Sequence, residues 1–98
     1  MELISFEWGE KKARANLSKH SVSFDEDQAV FFDSNARMIF DPDHSSNEDR
    51  FILLGMSGLL RVLIVCHCCS ENDGKVIRII SARKANREEQ KQYEGYLP

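Results

Sequence analysis

One histidine and four arginines carry most of the proton-transfer and anion-binding chemistry that this 98-residue chain can offer. Lys12, Asn16 and Lys19 line one stripe of a predicted helix, Ala13 and Leu17 line its buried face, and His20 falls at the border between the two. An imidazole titrates at about 6.5, so with cations in reach it can serve as general acid or base at neutral pH. A helix-end histidine whose charge meets the dipole at the C-terminus would occupy the same position. The run Arg78 to Lys84 reads as a strand with Arg83 on the face of Ser81, Ile79 and Ile77, and with Arg78 on the other face. Arginine suits phosphate because its planar fork donates two parallel hydrogen bonds and stays charged, although Arg83 and Lys84 could equally be solvated cations at a strand end. Arg50 and Arg61 also fall on predicted strands, Arg61 on the face of Leu63, Val65 and His67. Each could join an anion site or pair with an acid of the 41–49 loop.

Cys66-His67-Cys68-Cys69 offers metal-ligand residue types, but strand alternation sends Cys66 and Cys68 one way and His67 and Cys69 the other, so one ion cannot collect all four. The three cysteines are read as thiols, since none is spaced as part of a disulfide framework. Asp41, Asp43, His44, Glu48 and Asp49 lack calcium-loop spacing and read as a solvated acidic loop. No metal and no cofactor is expected.

The elements that must position these residues follow from local pattern. Leu3 to Trp8 alternates like a short strand, and Gly9 with Glu10 opens a helix reaching about His20. Ser23 with Glu26 has the spacing of a capping box ahead of Ala29, Val30 and Phe31, which predicts a second helix of about ten residues. Four strands follow, over 36–40, 50–56, 60–68 and 75–82, with turns at Ser57-Gly58 and Glu71-Asn72-Asp73-Gly74; short turns imply antiparallel neighbours. The last two strands are apolar on both faces and should be central. Asn86 with Glu89 caps a terminal helix through about Tyr96. The expectation is an α+β fold, an antiparallel four-stranded sheet packed against two N-terminal helices and one C-terminal helix.

Length and composition bound what such a fold can be. A chain this short supports one hydrophobic core, so residues 1–98 are expected to form a single domain, and 42% hydrophobic residues is too apolar for a disordered chain. No apolar run approaches the ~18 residues that span a bilayer and no signal peptide is evident, which points to a cytoplasmic protein with no membrane partner. The net charge of -3 argues against a generic polyanion binder, but it is uneven: residues 1–20 hold four basic and three acidic groups, 21–50 two and eight, and 51–98 seven and five. A nucleic-acid site would have to be local and built from the two ends of the chain.

The combination of Phe6-x-Trp8, Lys12-x-x-x-Asn16-x-x-Lys19-His20-x-Val22-x-Phe24, Phe31-x-Asp33, Glu48-x-Arg50, Gly55, the run Ile77 to Ala85, Glu89 and Tyr93 resembles the BrnT toxin family. The resemblance runs from Phe6 to Tyr93. It departs at Gly9-Glu10, where the family usually has Asp-Pro, and at Ser21, where it usually has Gly after the Lys-His pair. If the backbone at position 21 needs φ > 0, Ser carries a strain that Gly avoids. What the resemblance implies is a RelE-like ribonuclease, the toxin of a type II toxin–antitoxin module, which cleaves RNA without metal by attack of the ribose 2′-OH and blocks translation. It would be neutralised by a BrnA-like antitoxin and meet DNA only through that antitoxin. It implies His20 for proton transfer, Arg83 and Arg50 for the phosphate, and Lys12 and Lys19 for the RNA backbone, with Arg61 as a further substrate-binding candidate. The alternative is a RelE-like or ParE-like module that acts only by binding protein partners.

Overall fold

The computed structural model describes residues 4–41, 49–69 and 76–98. Strand β1 (Ser5–Glu7) leads to helix α1 (Glu10–His20), a short helix α2 (Phe24–Asp27) that runs into a 3₁₀ segment (Gln28–Phe32), strands β2 (Arg37–Asp41), β3 (Arg50–Met56), β4 (Val62–Cys69) and β5 (Val76–Lys84), and helix α3 (Arg87–Glu94). Most of the acidic loop, the Glu71 to Gly74 turn and Leu3, the first residue of the Leu3 to Trp8 stretch, lie outside the described residues. No described helix is long and apolar enough to cross a membrane.

The caps act as their residue types require. Ser23 accepts a hydrogen bond from the Glu26 N–H at 3.1 Å, and Asn86 and Glu89 close a full capping box at the start of α3. The expected ten-residue second helix keeps its start, but after Asp27 it tightens to 3₁₀ form. Val30, Phe31 and Phe32 bring β-branched and aromatic bulk of low helix propensity there, and Phe31 packs on Phe6 and His67 instead of extending a surface stripe.

The sheet has five strands in the order β1-β5-β4-β3-β2. β2 to β5 are antiparallel neighbours, as the short turns predict. The four-stranded antiparallel expectation is nevertheless incomplete, because β1 joins the sheet parallel to β5, pairing Ser5 with Val76 and Glu7 with Arg78. A three-residue strand has too little pattern to announce a partner. It is held by Phe6, whose ring lies 5.3 Å from that of Phe31.

Two layers cover the sheet. Leu53, Leu63, Val65 and Ile79 face α1 and the α2 region and form the main core with Val22, Phe24 and Val30. Leu54, Met56, Val62 and Ile64, alternating with them along β3 and β4, meet Tyr93 and Ala85 at α3 on the opposite side. Along β5 this alternation breaks. Cys66 pairs with Ser81 but His67 pairs with Ile79, so Ile80 is an extra residue, a β-bulge. Ile77, Ile79 and Ala82 are buried, whereas Arg78 and Ser81 are exposed and Arg83 half-buried. Arg78 and Arg83 therefore share a face, contrary to the simple odd-separation rule. The bulge is the reason.

Candidate active site

A cavity of about 310 Å³ opens on the α3 side of the sheet, lined by His20, Arg50 and Arg83 together with Ile52, Cys66 and Ser81. Cross-strand register builds it. Arg50 stands opposite Cys68, Ile52 opposite Cys66, Cys66 opposite Ser81, and Ile64 opposite Arg83, so successive rows across β3, β4 and β5 present one continuous surface. The bulge at Ile80 turns Ser81 and Arg83 onto that surface.

His20 reaches the cavity from the end of α1 because that end is fastened to β5. β1 pairs with β5 only as far as Arg78, and further along the strand Asn16 takes the place of a neighbouring strand: its Nδ2 donates to Ala82 O at 2.9 Å and its Oδ1 accepts from Ala82 N–H at 3.0 Å. Nδ2 also donates to Val22 O at 3.0 Å, tying down the turn that follows His20. Asn16 is thus buried, with 7% exposed, and Leu17 is 52% exposed, the reverse of the expected stripe. The amide's hydrogen bonds to β5 outweigh the leucine's hydrophobicity in choosing which face of α1 turns inward.

The turn itself is left-handed. Ser21 has φ 58° and ψ 32°, and its N–H closes on Leu17 O at 2.9 Å. This is the C-terminal cap geometry that favours glycine. Arg61 braces it, donating from Nη2 to Ser21 O at 3.1 Å while pairing with the Glu26 carboxylate through Nε at 2.9 Å and through Nη2. Ser57 Oγ donates to Glu26 at 2.6 Å. The hydrogen bonds from Arg61 hold the Glu26 carboxyl below its ordinary range.

Arg83 is held by α3. Its Nη1 and Nη2 donate to the two carboxylate oxygens of Glu89, each at 2.8 Å, and Nη1 also reaches Lys84 O at 3.3 Å. The pair lowers the Glu89 carboxyl and raises Arg83 from their ordinary values. Glu89 Oε1 also accepts the Asn86 N–H at 2.9 Å, which fixes the carboxylate to the helix start.

The other predicted residues fall elsewhere. Lys12 and Lys19 lie exposed on α1, outside the cavity lining. Arg61 lines a separate groove beside α3 with Met56, Lys84 and Tyr93, and its guanidinium is committed to Glu26. Alternation along β4 keeps Cys66 and His67 apart: His67 is 1% exposed, between the rings of Phe31 and Phe51, whereas Cys66 borders the cavity. Among the described residues no three His, Cys, Asp or Glu side chains are placed to share a metal ion. Residue types alone did not mark Asn16 and Glu89 as positioning groups. The signals present were an asparagine inside a helix, where it is a poor former, and a capping glutamate six residues beyond an arginine.

The architecture is that of a known toxin structure. The ribonuclease toxin BrnT of Brucella abortus, solved by crystallography, superposes with a TM-score of 0.62 at 22% sequence identity, covering 89% of this chain and 99% of that one. The family model for the ribonuclease toxin BrnT of type II toxin–antitoxin systems matches residues 8–89, and the chain belongs to that family. No curated protein sequence matches it. Membership in a type II system implies an antitoxin protein as partner.

Proposed function

We propose that the chain is an endoribonuclease whose active site is the cavity between His20, Arg50 and Arg83. One observation carries this reading: three residues drawn from α1, β3 and β5 line a single cavity of about 310 Å³. In it His20 takes the proton from a ribose 2′-OH, the oxygen attacks the adjacent phosphorus, the bond to the 5′-oxygen breaks as that oxygen takes a proton from water, and a 2′,3′-cyclic phosphate is left. Arg50 and Arg83 stabilise the negative charge that develops on the phosphorane, a role suited to fixed guanidinium groups at a partly desolvated site. The attack and the stabilisation of charge in this scheme call on His20, Arg50 and Arg83, without a metal ion. Lys12 and Lys19, outside the cavity, bear on the RNA backbone. Arg61 serves the site indirectly, through the Ser21 carbonyl.

The antitoxin, a BrnA-like protein in this reading, covers the basic surface formed by α1 and the end of β5, with acidic groups placed against it. The target of the toxin is RNA in the cytoplasm, and translation stops because message is cut. Purified chain should cleave RNA in EDTA, and His20→Ala should abolish the cleavage while the variant stays folded. Activity lost in EDTA and restored by magnesium would overturn the mechanism; a binding-only module would cleave under neither condition.

A further inference from the structure

We propose that Glu89 is a positioning residue for the reaction, one that selects which edge of the Arg83 guanidinium meets the substrate phosphate. The inference rests on the reading of Arg83 as a phosphate-binding group. A guanidinium offers two forks, an end-on fork of Nη1 and Nη2 and a side-on fork of Nε and Nη2. Glu89 fills the end-on fork with both its oxygens at 2.8 Å, and Lys84 O takes the remaining Nη1 hydrogen at 3.3 Å. The Nε–H and the second Nη2–H have no partner among the described residues, and Arg83 lines the cavity that also holds His20. The side-on fork is the donor pair left for an oxyanion.

The carboxylate that makes this choice is itself fixed. Glu89 Oε1 accepts the Asn86 N–H at 2.9 Å and the Glu89 N–H donates to Asn86 Oδ1 at 2.8 Å, so the side chain is anchored at both ends to the first turn of α3. α3 in turn is seated by Tyr93, which donates to Asp33 at 2.6 Å. Arg83 has a long, half-exposed side chain, and two parallel charge-assisted bonds to a rigid acceptor remove rotamer freedom that would otherwise be lost on binding substrate. Glu89 touches no reacting atom in this scheme; it acts through Arg83.

The test pairs kinetics with a direct view of the guanidinium. Glu89→Gln keeps a carbonyl able to close the capping box, so α3 stays capped, but it supplies one acceptor where the fork needs two. Cleavage of a short RNA by the full chain should show kcat lowered about tenfold to a hundredfold with KM nearly unchanged, as expected when orientation in the transition state is lost. In parallel, the Arg83 Nε–H resonance, assigned by its disappearance in Arg83→Lys, is followed while 2′-O-methyl RNA, which cannot undergo 2′-OH attack, is titrated. It should shift in the native chain and barely respond in Glu89→Gln. A Glu89→Gln chain with native kcat, or with a native Nε–H response, overturns the proposal. If the native chain cleaves no RNA, the ribonuclease reading fails, and the Nε–H comparison still decides the role of Glu89. Should Glu89→Gln unfold, Glu89→Asp, which withdraws the carboxylate by one methylene, is judged by the same two readouts.

Discussion

Asn16 and Ala82 stand 66 positions apart and exchange two hydrogen bonds, so that a helix side chain pairs with the edge of β5 as a strand would. That pairing sets the distance between the His20 end of α1 and the Ser81 to Arg83 stretch. Asn16→Ala leaves Ala82 N–H, Ala82 O and Val22 O without their partner in a buried region. Leaving even one such group unsatisfied costs about 1–3 kcal/mol, which corresponds to a fall in Tm of several degrees for a domain of this size. Thermal unfolding should show that loss, and RNA cleavage at a temperature where the variant is folded should fall as well. Native stability in Asn16→Ala would mean that water replaces the amide without cost.

Arg83→Ala and Arg78→Ala separate the chemistry of the strand from its stability. By analogy with removal of one oxyanion donor, loss of Arg83 should cost about 2.7–4 kcal/mol of barrier, a hundredfold to a thousandfold in rate. Arg78 is exposed on the same face of β5, so Arg78→Ala should change stability by no more than about 0.5 kcal/mol. Its removal should weaken RNA binding only modestly. An inactive but folded Arg78→Ala beside a fully active Arg83→Ala would move the active centre toward the other end of the strand.

The sequence pattern made the frame of the site legible and left its fine placement out of reach. The bounds of α1, the Asn86 cap and the antiparallel order from β2 to β5 follow from capping residues, short turns and alternation. The parallel strand β1 does not, because three residues cannot specify a partner some seventy positions away. The bulge at Ile80 carries no glycine to mark it, yet it reverses the parity of everything after it. It puts Arg83 on the face of Arg78, and it is why that face could not be read by counting along the strand. The inward face of α1 was misjudged for a related reason. Hydrophobicity favoured Leu17, while the burial of Asn16 depends on an unpaired edge of β5 that only the tertiary structure reveals.

Ser21→Gly should stabilise the fold. Ser21 occupies the left-handed region at φ 58°, where a side chain costs about 1 kcal/mol relative to glycine. Relief of that strain should raise Tm by a few degrees, read by calorimetry. The hydrogen bond from Arg61 to Ser21 O involves backbone only on the Ser21 side, so it survives the substitution and His20 keeps its place. A lowered Tm would show that the freedom glycine gains in the unfolded chain outweighs the strain removed.

Gly55→Ala should destabilise it. A Cβ at this position would lie 2.9 Å from Val30 Cγ1, 3.0 Å from Ala36 Cβ and 3.2 Å from Asp33 Oδ2. Asp33 Oδ2 also accepts the Met56 N–H at 2.8 Å and the Tyr93 hydroxyl at 2.6 Å, so displacing it disturbs both the β3 edge and the seat of α3. Overpacking of this kind costs about 1–3 kcal/mol. Chemical denaturation should show a lower midpoint with an unchanged slope, and a midpoint equal to that of the native chain would show that the 3₁₀ segment yields freely.

Asp27 should make stability depend on pH in a window that one substitution can remove. Its side chain is fully buried, and neither carboxylate oxygen has a hydrogen-bond partner among the described residues. Burial, reinforced by the neighbouring Glu26 carboxylate and opposed by Arg61, pushes its carboxyl up from 3.8 to about 7. Below about pH 3.8 the group is protonated in both the folded and unfolded chains and the fold keeps the full benefit. As pH rises from there to about 7, the unfolded chain releases the proton while the folded chain still holds it, so stability falls; above about 7 both forms are ionised and the penalty levels off. Asp27→Asn cannot ionise. The difference in Tm between Asp27→Asn and the native chain should therefore grow in favour of the variant from pH 4 to about pH 7 and then stay constant, because groups distant from position 27 contribute equally to both proteins and cancel. A difference that stays flat across this range would show that the carboxylate ionises normally in the folded chain, reached by water or by a partner it gains in solution.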